Sequence, residues 1–180
     1  MDEELLDIVD ENNELTGESV LRSKVHAEGL WHRTIHISVF RKRENQLEFL
    51  VHLRSKFKDF HANQWGTSVG GHIKSGDSFE EAVKAELWEE IGLKVDFAKL
   101  IGGYWRKRDK NPDREFTKNY CFEFDGDLAD LTFNDGEVQE AKWMNVAEIQ
   151  NSLQKNPEIW AGTGAGLVGV LNFLKENHEI

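Results

Sequence analysis

Apolar and polar residues alternate through the first third of the chain with a period of two, which predicts strands before it predicts helices. Leu5 to Val9 and Ser19 to Val25 flank the turn-like ENNELTG, so residues 1–25 read as an N-terminal hairpin attached to the main body. Thr34 to Phe40 and Leu47 to Leu53 alternate around Arg43-Glu44-Asn45, a second hairpin signal. The period then lengthens: between a cap at Asp77 or Ser78 and a stop at Gly92, the apolar residues Phe79, Ala82, Val83 and Leu87 recur at helical spacing. Strands are predicted around Val95 to Arg106, Phe116 to Phe124 and Glu140 to Met144, with a short helix near Val146 to Leu153. The uncharged run from Ile159 to Leu174 holds four glycines, then Leu167, Val170, Leu171 and Leu174, and reads as a loop that becomes a C-terminal core helix. Strands before and after one central helix, with late helices, favour an α+β class with helices packed on a mixed sheet.

The central helix carries the candidate chemistry. At about 100° per residue, Glu86, Glu89 and Glu90 fall on the same side as Phe79, Ala82, Val83 and Leu87. Carboxylates turned toward the protein raise one another's pKa and pay for desolvation, so a positive group is expected beside them. Clustered hard oxygens suit Mg²⁺ or Mn²⁺, which keep several waters and take further contacts from phosphates. Before the helix, Val69-Gly70-Gly71 ends an extended segment with glycines that let backbone approach a ligand, and Glu80 or Glu81 can reach back to the cap.

This order of glycine loop, helix and glycine stop over residues 71–93 resembles the Nudix box of the Nudix hydrolases, G-x5-E-x7-R-E-U-x-E-E-x-G-U with U aliphatic. Gly71, Glu86, Leu87, Glu89, Glu90, Gly92 and Leu93 match that pattern; Asp77 stands in place of Glu and Ala85 in place of Arg. The family's arginine orients a metal-site glutamate, and Lys84 projects away from Glu89 and does not replace it. The resemblance implies an α/β/α sandwich with a mixed sheet and a metal-dependent pyrophosphohydrolase, and a length of 180 residues predicts a single domain over residues 1–180. It implies Glu89 and Glu90 as principal ligands for Mg²⁺ or Mn²⁺, Glu86 as ligand or general base, and the Gly70 carbonyl completing the coordination.

The likeness extends to a particular branch. His26 to Arg33, Leu53-Arg54-Ser55, Lys58 and the segment from Trp65 to His72 are similar to a region shared by type I isopentenyl-diphosphate isomerases and hydrolases related to them. In the isomerases, histidines matching His26, His32 and His72 bind a metal, and a catalytic cysteine stands where this chain has Gly70. Arg54 and Lys58 are candidate diphosphate binders with Gly70 and Gly71, an arginine by two parallel bonds and a lysine as a point charge. Glu137 and Glu140 sit where many Nudix hydrolases place a late acidic residue near the metal.

A net charge of -11 argues against a nucleic-acid surface, which needs clustered Lys and Arg. The expected partner is a small-molecule diphosphate, brought past the carboxylates by metal. Cys121 is the sole cysteine, the acidic N-terminus shows no secretory signal, and no run is long and apolar enough for a membrane span, so a cytoplasmic location is expected. Trp88, Trp105, Trp143 and Trp160 are read as packing residues. The N-terminal hairpin and C-terminal helix are the candidate surfaces for a homodimer. Two alternatives stand beside the hydrolase: an isopentenyl-diphosphate isomerase-like enzyme, and a non-catalytic diphosphate-binding module.

Overall fold

The computed structural model describes residues 3–58, 61–133, 136–162, 164–177 and 179–180. Strands β1 (Leu5–Val9) and β2 (Leu15–Leu21) pair antiparallel, and helix α1 (Arg22–Glu28) follows at once, closed by Gly29 at φ 64°. The second arm of the hairpin therefore begins earlier than Ser19 and ends at Leu21. Asp10 pulls the turn inward by accepting from the backbone N–H groups of Asn12 and Glu14 at 2.9 and 2.8 Å, and Val25 then packs as a helical residue against Leu6 and Ile8.

Strands β3 (His32–Arg43) and β4 (Gln46–Arg54) are longer than their alternation predicts. They join through Glu44 and Asn45 at φ 48° and 60°, the two left-handed residues of a hairpin turn that matches strand twist. The short β5 (Trp65–Gly66) lies against β4, and α2 (Phe79–Ile91) follows. After it come β6 (Ile101–Lys110), β7 (Asp113–Glu123), β8 (Val138–Asn145), α3 (Val146–Lys155) and α4 (Ala165–Glu176). Val95 to Lys99 is not strand: the Asp96 carboxylate accepts from Ala98 N–H and caps a 3₁₀ turn over Phe97–Lys99, so these apolar residues meet the core without ladder partners.

The sheet is mixed. β3 runs parallel to β7 from His32 opposite Glu115 to Phe40 opposite Glu123, while the β3–β4, β4–β8 and β6–β7 pairs are antiparallel. On one face α2 buries Ala82, Val83, Leu87 and Ile91 against Ile35, Ile37, Val39 and Leu50. On the other, Ile149 of α3 and Leu167, Val170 and Leu174 of α4 meet Phe40, Phe49, Val51 and Cys121. This is the α/β/α sandwich with a mixed sheet. Among the described residues, no helix is long and apolar enough to cross a membrane.

The tryptophans divide. Trp160 is 4% exposed and its indole N–H donates to Ser152 Oγ at 3.0 Å, and Trp143 lies under the Arg41 guanidinium. Trp88 and Trp105 are 48% and 42% exposed, so they are not core residues; Lys94 covers the first and Phe79 meets the second edge-on.

Helix α2 starts in a reciprocal cap. Ser78 Oγ accepts from Glu81 N–H at 3.2 Å and the Glu81 carboxylate accepts from Ser78 N–H at 2.9 Å; Gly92, at φ 71°, ends the helix by donating to Trp88 O. Ser78→Ala removes one half of the box and should lower stability by about 1 kcal/mol, whereas Asp77→Ala, whose side chain does not cap, should change it by less than about 0.5 kcal/mol. Urea unfolding of the two variants checks the difference.

Candidate active site

Gly70 and Gly71 lie in the loop from β5 to α2, which runs alongside β3. The loop is held by ladder-like bonds, from Ile37 N–H to Val69 O at 2.7 Å and from Ile35 N–H to Gly71 O at 2.9 Å. Main chain leaves no room for a side chain at Gly70, and at Gly71 a side chain would have to displace the end of Glu86. A Cβ on Gly70 would overlap the Ile35 carbonyl oxygen, and one on Gly71 would overlap the Glu86 carboxylate.

Helix α2 carries Glu86 and Glu90 up against this loop, one turn apart. Glu90 is 4% exposed and accepts from Gly70 N–H at 3.4 Å; Glu86 is half-buried. Burial, then neighbouring Glu86 and Glu137, push Glu90 up to about 8; burial, then Glu89 and Glu137, push Glu86 up to about 7. Glu89 is exposed, so the expectation that all three carboxylates share the apolar side holds for two of them. It precedes Glu90 by one residue, and that step carries it out of the wedge toward solvent beside exposed Trp88.

Across the wedge, Lys58 Nζ pairs with Glu137 Oε2, and its charge opposes the rise of both Glu86 and Glu90. Glu137 thereby joins the cluster, while Glu140 faces solvent opposite Leu53 in the β4–β8 ladder. Arg54 ends β4 half-buried, and its charge is felt by two histidines, His52 and His36. Burial and the nearby cations push His52 down to about 4 and His36 to about 3, so both are neutral. Neither carries a sequence signal, because each reads as one polar position in an alternating strand.

A second cluster stands apart from the carboxylates. His26 of α1, His32 at the start of β3 and His72, beside Gly71, bring one ring nitrogen each within 4.8 Å of one another. His32 Nδ1 lies 3.0 Å from Leu30 O, which fixes the proton on that nitrogen and leaves Nε2 as an acceptor; that Nε2 is buried with no partner. His26 Nε2 and His72 Nε2 are 3.1 Å apart. Burial holds His32 and His72 below the ordinary histidine range, His72 well below, so both are in the neutral form a metal requires.

Gly70 occupies the place of the isomerase cysteine, and the Ile35 carbonyl leaves no room for a side chain there. Cys121 lies buried in β7 against α4's cluster, where burial pushes its thiol up to about 12. A thiol that stays protonated inside an apolar layer is no stand-in for an active-site cysteine.

The comparisons with known proteins agree with this architecture. The NUDIX domain family matches residues 31–161. An uncharacterized Nudix hydrolase of Clostridium acetobutylicum is 39% identical over 158 residues, covering 85% of this chain and 75% of that protein. Isopentenyl-diphosphate Delta-isomerase 2 of Photorhabdus laumondii is 26% identical over 160 residues, 88% of this chain and 86% of that one. A crystal structure from Deinococcus radiodurans shares the fold with a TM-score of 0.67 at 25% identity, covering 92% of this chain and 97% of that one. With a glycine loop, a capped helix and paired buried glutamates where that family's box predicts them, the chain belongs to the Nudix hydrolase family.

Proposed function

We propose that the chain is a Nudix pyrophosphohydrolase acting in the cytoplasm on an organic diphosphate, a nucleoside diphosphate derivative in the leading case, at Glu86, Glu90 and the Gly70–Gly71 loop. The reading rests on one observation: two carboxylates held out of water beside a third, Glu137, with Lys58 as the nearest cation. Hard oxygens in that arrangement fit Mg²⁺ or Mn²⁺. When bound, the ion would screen the diphosphate charge and acidify a coordinated water. Glu86 and Glu90 would supply ligand oxygens, with Glu89 reaching in from the rim and the Gly70 carbonyl from the loop. Where Glu86 serves as general base rather than as ligand, its pKa of about 7 in the metal-free site suits it to take the proton of the attacking water near neutral pH. Arg54 and Lys58 would hold the non-bridging oxygens of the diphosphate. The blocked space at Gly70 weighs against the isomerase alternative, which needs an acid at that position.

Incubation with a panel of nucleoside diphosphate derivatives and prenyl diphosphates, in Mg²⁺ or Mn²⁺ and with products identified by mass, tests this. Cleavage at the diphosphate is expected, reduced at least about 100-fold in Glu90→Gln and also lowered in Glu89→Gln. An isomerised allylic diphosphate, or binding without turnover, would sink the hydrolase reading.

The same carboxylates give a pH signature without metal. Their folded-state pKa values, about 7 and about 8, lie above the ordinary 4.5, so the folded protein binds more protons than the unfolded chain between those limits. Their contribution is therefore fully favourable below 4.5 and is lost as pH rises through 7 to 8. The melting temperature of metal-free protein should fall over that range relative to a Glu86→Gln/Glu90→Gln variant. Mg²⁺ should restore it, by a shift that grows with pH because binding displaces protons. A flat difference between the two proteins across that range would count against the buried pair.

The histidine cluster supports a second metal site of imidazole character, of the Zn²⁺ type, joining α1 to the box loop. Cobalt substitution should give visible d–d absorption in the wild-type chain that His26→Ala abolishes, while the Mg²⁺-dependent melting shift persists.

A further inference from the structure

Phe57 is 83% exposed, whereas the other exposed large apolar side chains among the described residues range from 37% to 59%. It stands between two lysines, in Lys56-Phe57-Lys58, just past the end of β4. Its backbone is nevertheless fixed. The buried Ser55 accepts from Phe57 N–H with Oγ at 3.3 Å and from Lys58 N–H with its carbonyl at 3.3 Å, so residues 55–58 form a tight turn. Ser55 N–H in turn donates to Glu137 O at 2.7 Å, and Lys58 Nζ pairs with the carboxylate of the same glutamate. The turn is therefore fastened to Glu137 on both sides of Phe57.

A ring left in water forgoes the burial that makes an aromatic residue stabilising. The turn does not require one either, because Ser55 binds the main-chain N–H of residue 57 and not its side chain. Lys56 Nζ stands 5.0 Å from the ring centroid, a cation over one face, and the high exposure leaves the other face open. An open π-face held by a fixed backbone is a stacking platform, and every nucleobase has a matching face. The turn also belongs to the box side of the molecule. Arg54 N–H donates to Gln64 O at 3.0 Å and Leu53 pairs with Trp65, so the chain that leaves β4 toward Phe57 comes back as β5 and runs on to Gly70 and Gly71. The Cα atom of Phe57 is about 3.8 Å from that of Lys58, the cation that meets Glu137. A group attached to a diphosphate held at Lys58 lies within reach of the ring.

We propose that Phe57 is the specificity-determining residue for the organic end of the substrate, its open face stacking on a nucleobase while Lys58 and the carboxylates address the diphosphate. The assignment deepens the hydrolase reading and rests on it for the position of the diphosphate. It selects nucleoside diphosphate derivatives over prenyl diphosphates, because a planar base covers the whole ring face and a branched, flexible chain covers part of it. It does not select among bases, since stacking accepts any of them.

The test is calorimetric titration of the whole chain with ADP, dimethylallyl diphosphate and inorganic pyrophosphate, with Ca²⁺ as the divalent ion. The wild-type chain should bind ADP about tenfold tighter than either of the others. Phe57→Ala should erase that preference and leave pyrophosphate affinity within about twofold. Phe57→Tyr keeps the π-face and should retain the preference, whereas Phe57→Leu, apolar without a flat face, should lose it as the alanine does. The side chain lies in solvent, so all three variants should fold, which far-UV circular dichroism verifies. Equal affinities for ADP and pyrophosphate in the wild-type chain, or a preference that survives in Phe57→Ala or Phe57→Leu, would overturn the stacking role. Because no turnover is read, failure of the hydrolase assay leaves this result standing. Pyrophosphate binding without an ADP preference removes the role of Phe57 alone, and binding of none of the three ligands overturns the diphosphate site together with it.

Discussion

Glu86 and Glu90 carry their carboxyl groups into a wedge between α2 and the sheet, and most of the neighbouring structure exists to make that placement tolerable. A buried carboxylate is costly unless it is neutralised or paired, and two placed side by side aggravate each other. Three devices hold them there. The loop approaches with two glycines: a side chain at Gly70 would collide with the Ile35 carbonyl, and one at Gly71 would push the Glu86 carboxylate aside. The helix is locked at both ends by Ser78 with Glu81 and by Gly92, so the carboxylates cannot swing away by fraying. Lys58 stands opposite, shared with Glu137. Burial of Leu87 between the two glutamates, fully removed from solvent, fixes the helix rotation, so the apolar contact contributes the energy that the charged groups cost.

The N-terminal hairpin takes part in this arrangement. Asp7 accepts from Ser75 Oγ at 2.6 Å and from Gly76 N–H at 3.3 Å, and Ser75 N–H donates to Leu5 O at 2.8 Å. The hydrogen bonds held by that one aspartate lower its pKa, with Ser75 the leading cause. The hairpin therefore clamps the turn that leads into α2, and α1, which follows it directly, delivers His26 to the histidines at the base of the loop. Residues that look like an appendage in the sequence fix the entry of the box helix and one member of a candidate metal site.

Much of the fold was legible because its signals are local. The cap at Ser78, the stop at Gly92, the Glu44-Asn45 turn and the alternation of β3 and β4 depend on residues a few positions apart, and all appear where their spacing predicts. What escaped is non-local. The Lys58–Glu137 pair joins residues 79 apart, and nothing in either neighbourhood marks it. The face shared by Arg106, Thr117 and His36 follows from a parallel β3–β7 register that alternation alone does not specify. Local rules also misread α1 and the segment from Val95 to Lys99; in the latter the Asp96 side chain captures a backbone N–H and the strand starts later than the apolar pattern suggests.

The departure at Ala85 is best weighed by which carboxylate it touches. In the family the arginine orients a glutamate of the box, and here residue 85 lies one turn before Glu89. Glu89 is the one box glutamate that stands exposed, while the orientation of Glu86 and Glu90 is set by burial, by the glycine loop and by the Gly70 N–H. Loss of the arginine therefore removes a tether from the rim of the site and leaves its interior pair in place. Gly70 bears on the opposite question. The space a cysteine side chain would need is filled by main chain, which cannot yield as a flexible side chain would. The backbone of this loop is thus shaped around a glycine, for close approach to carboxylates and ligand, and the chemistry it favours is that of the acidic pair rather than of a thiol.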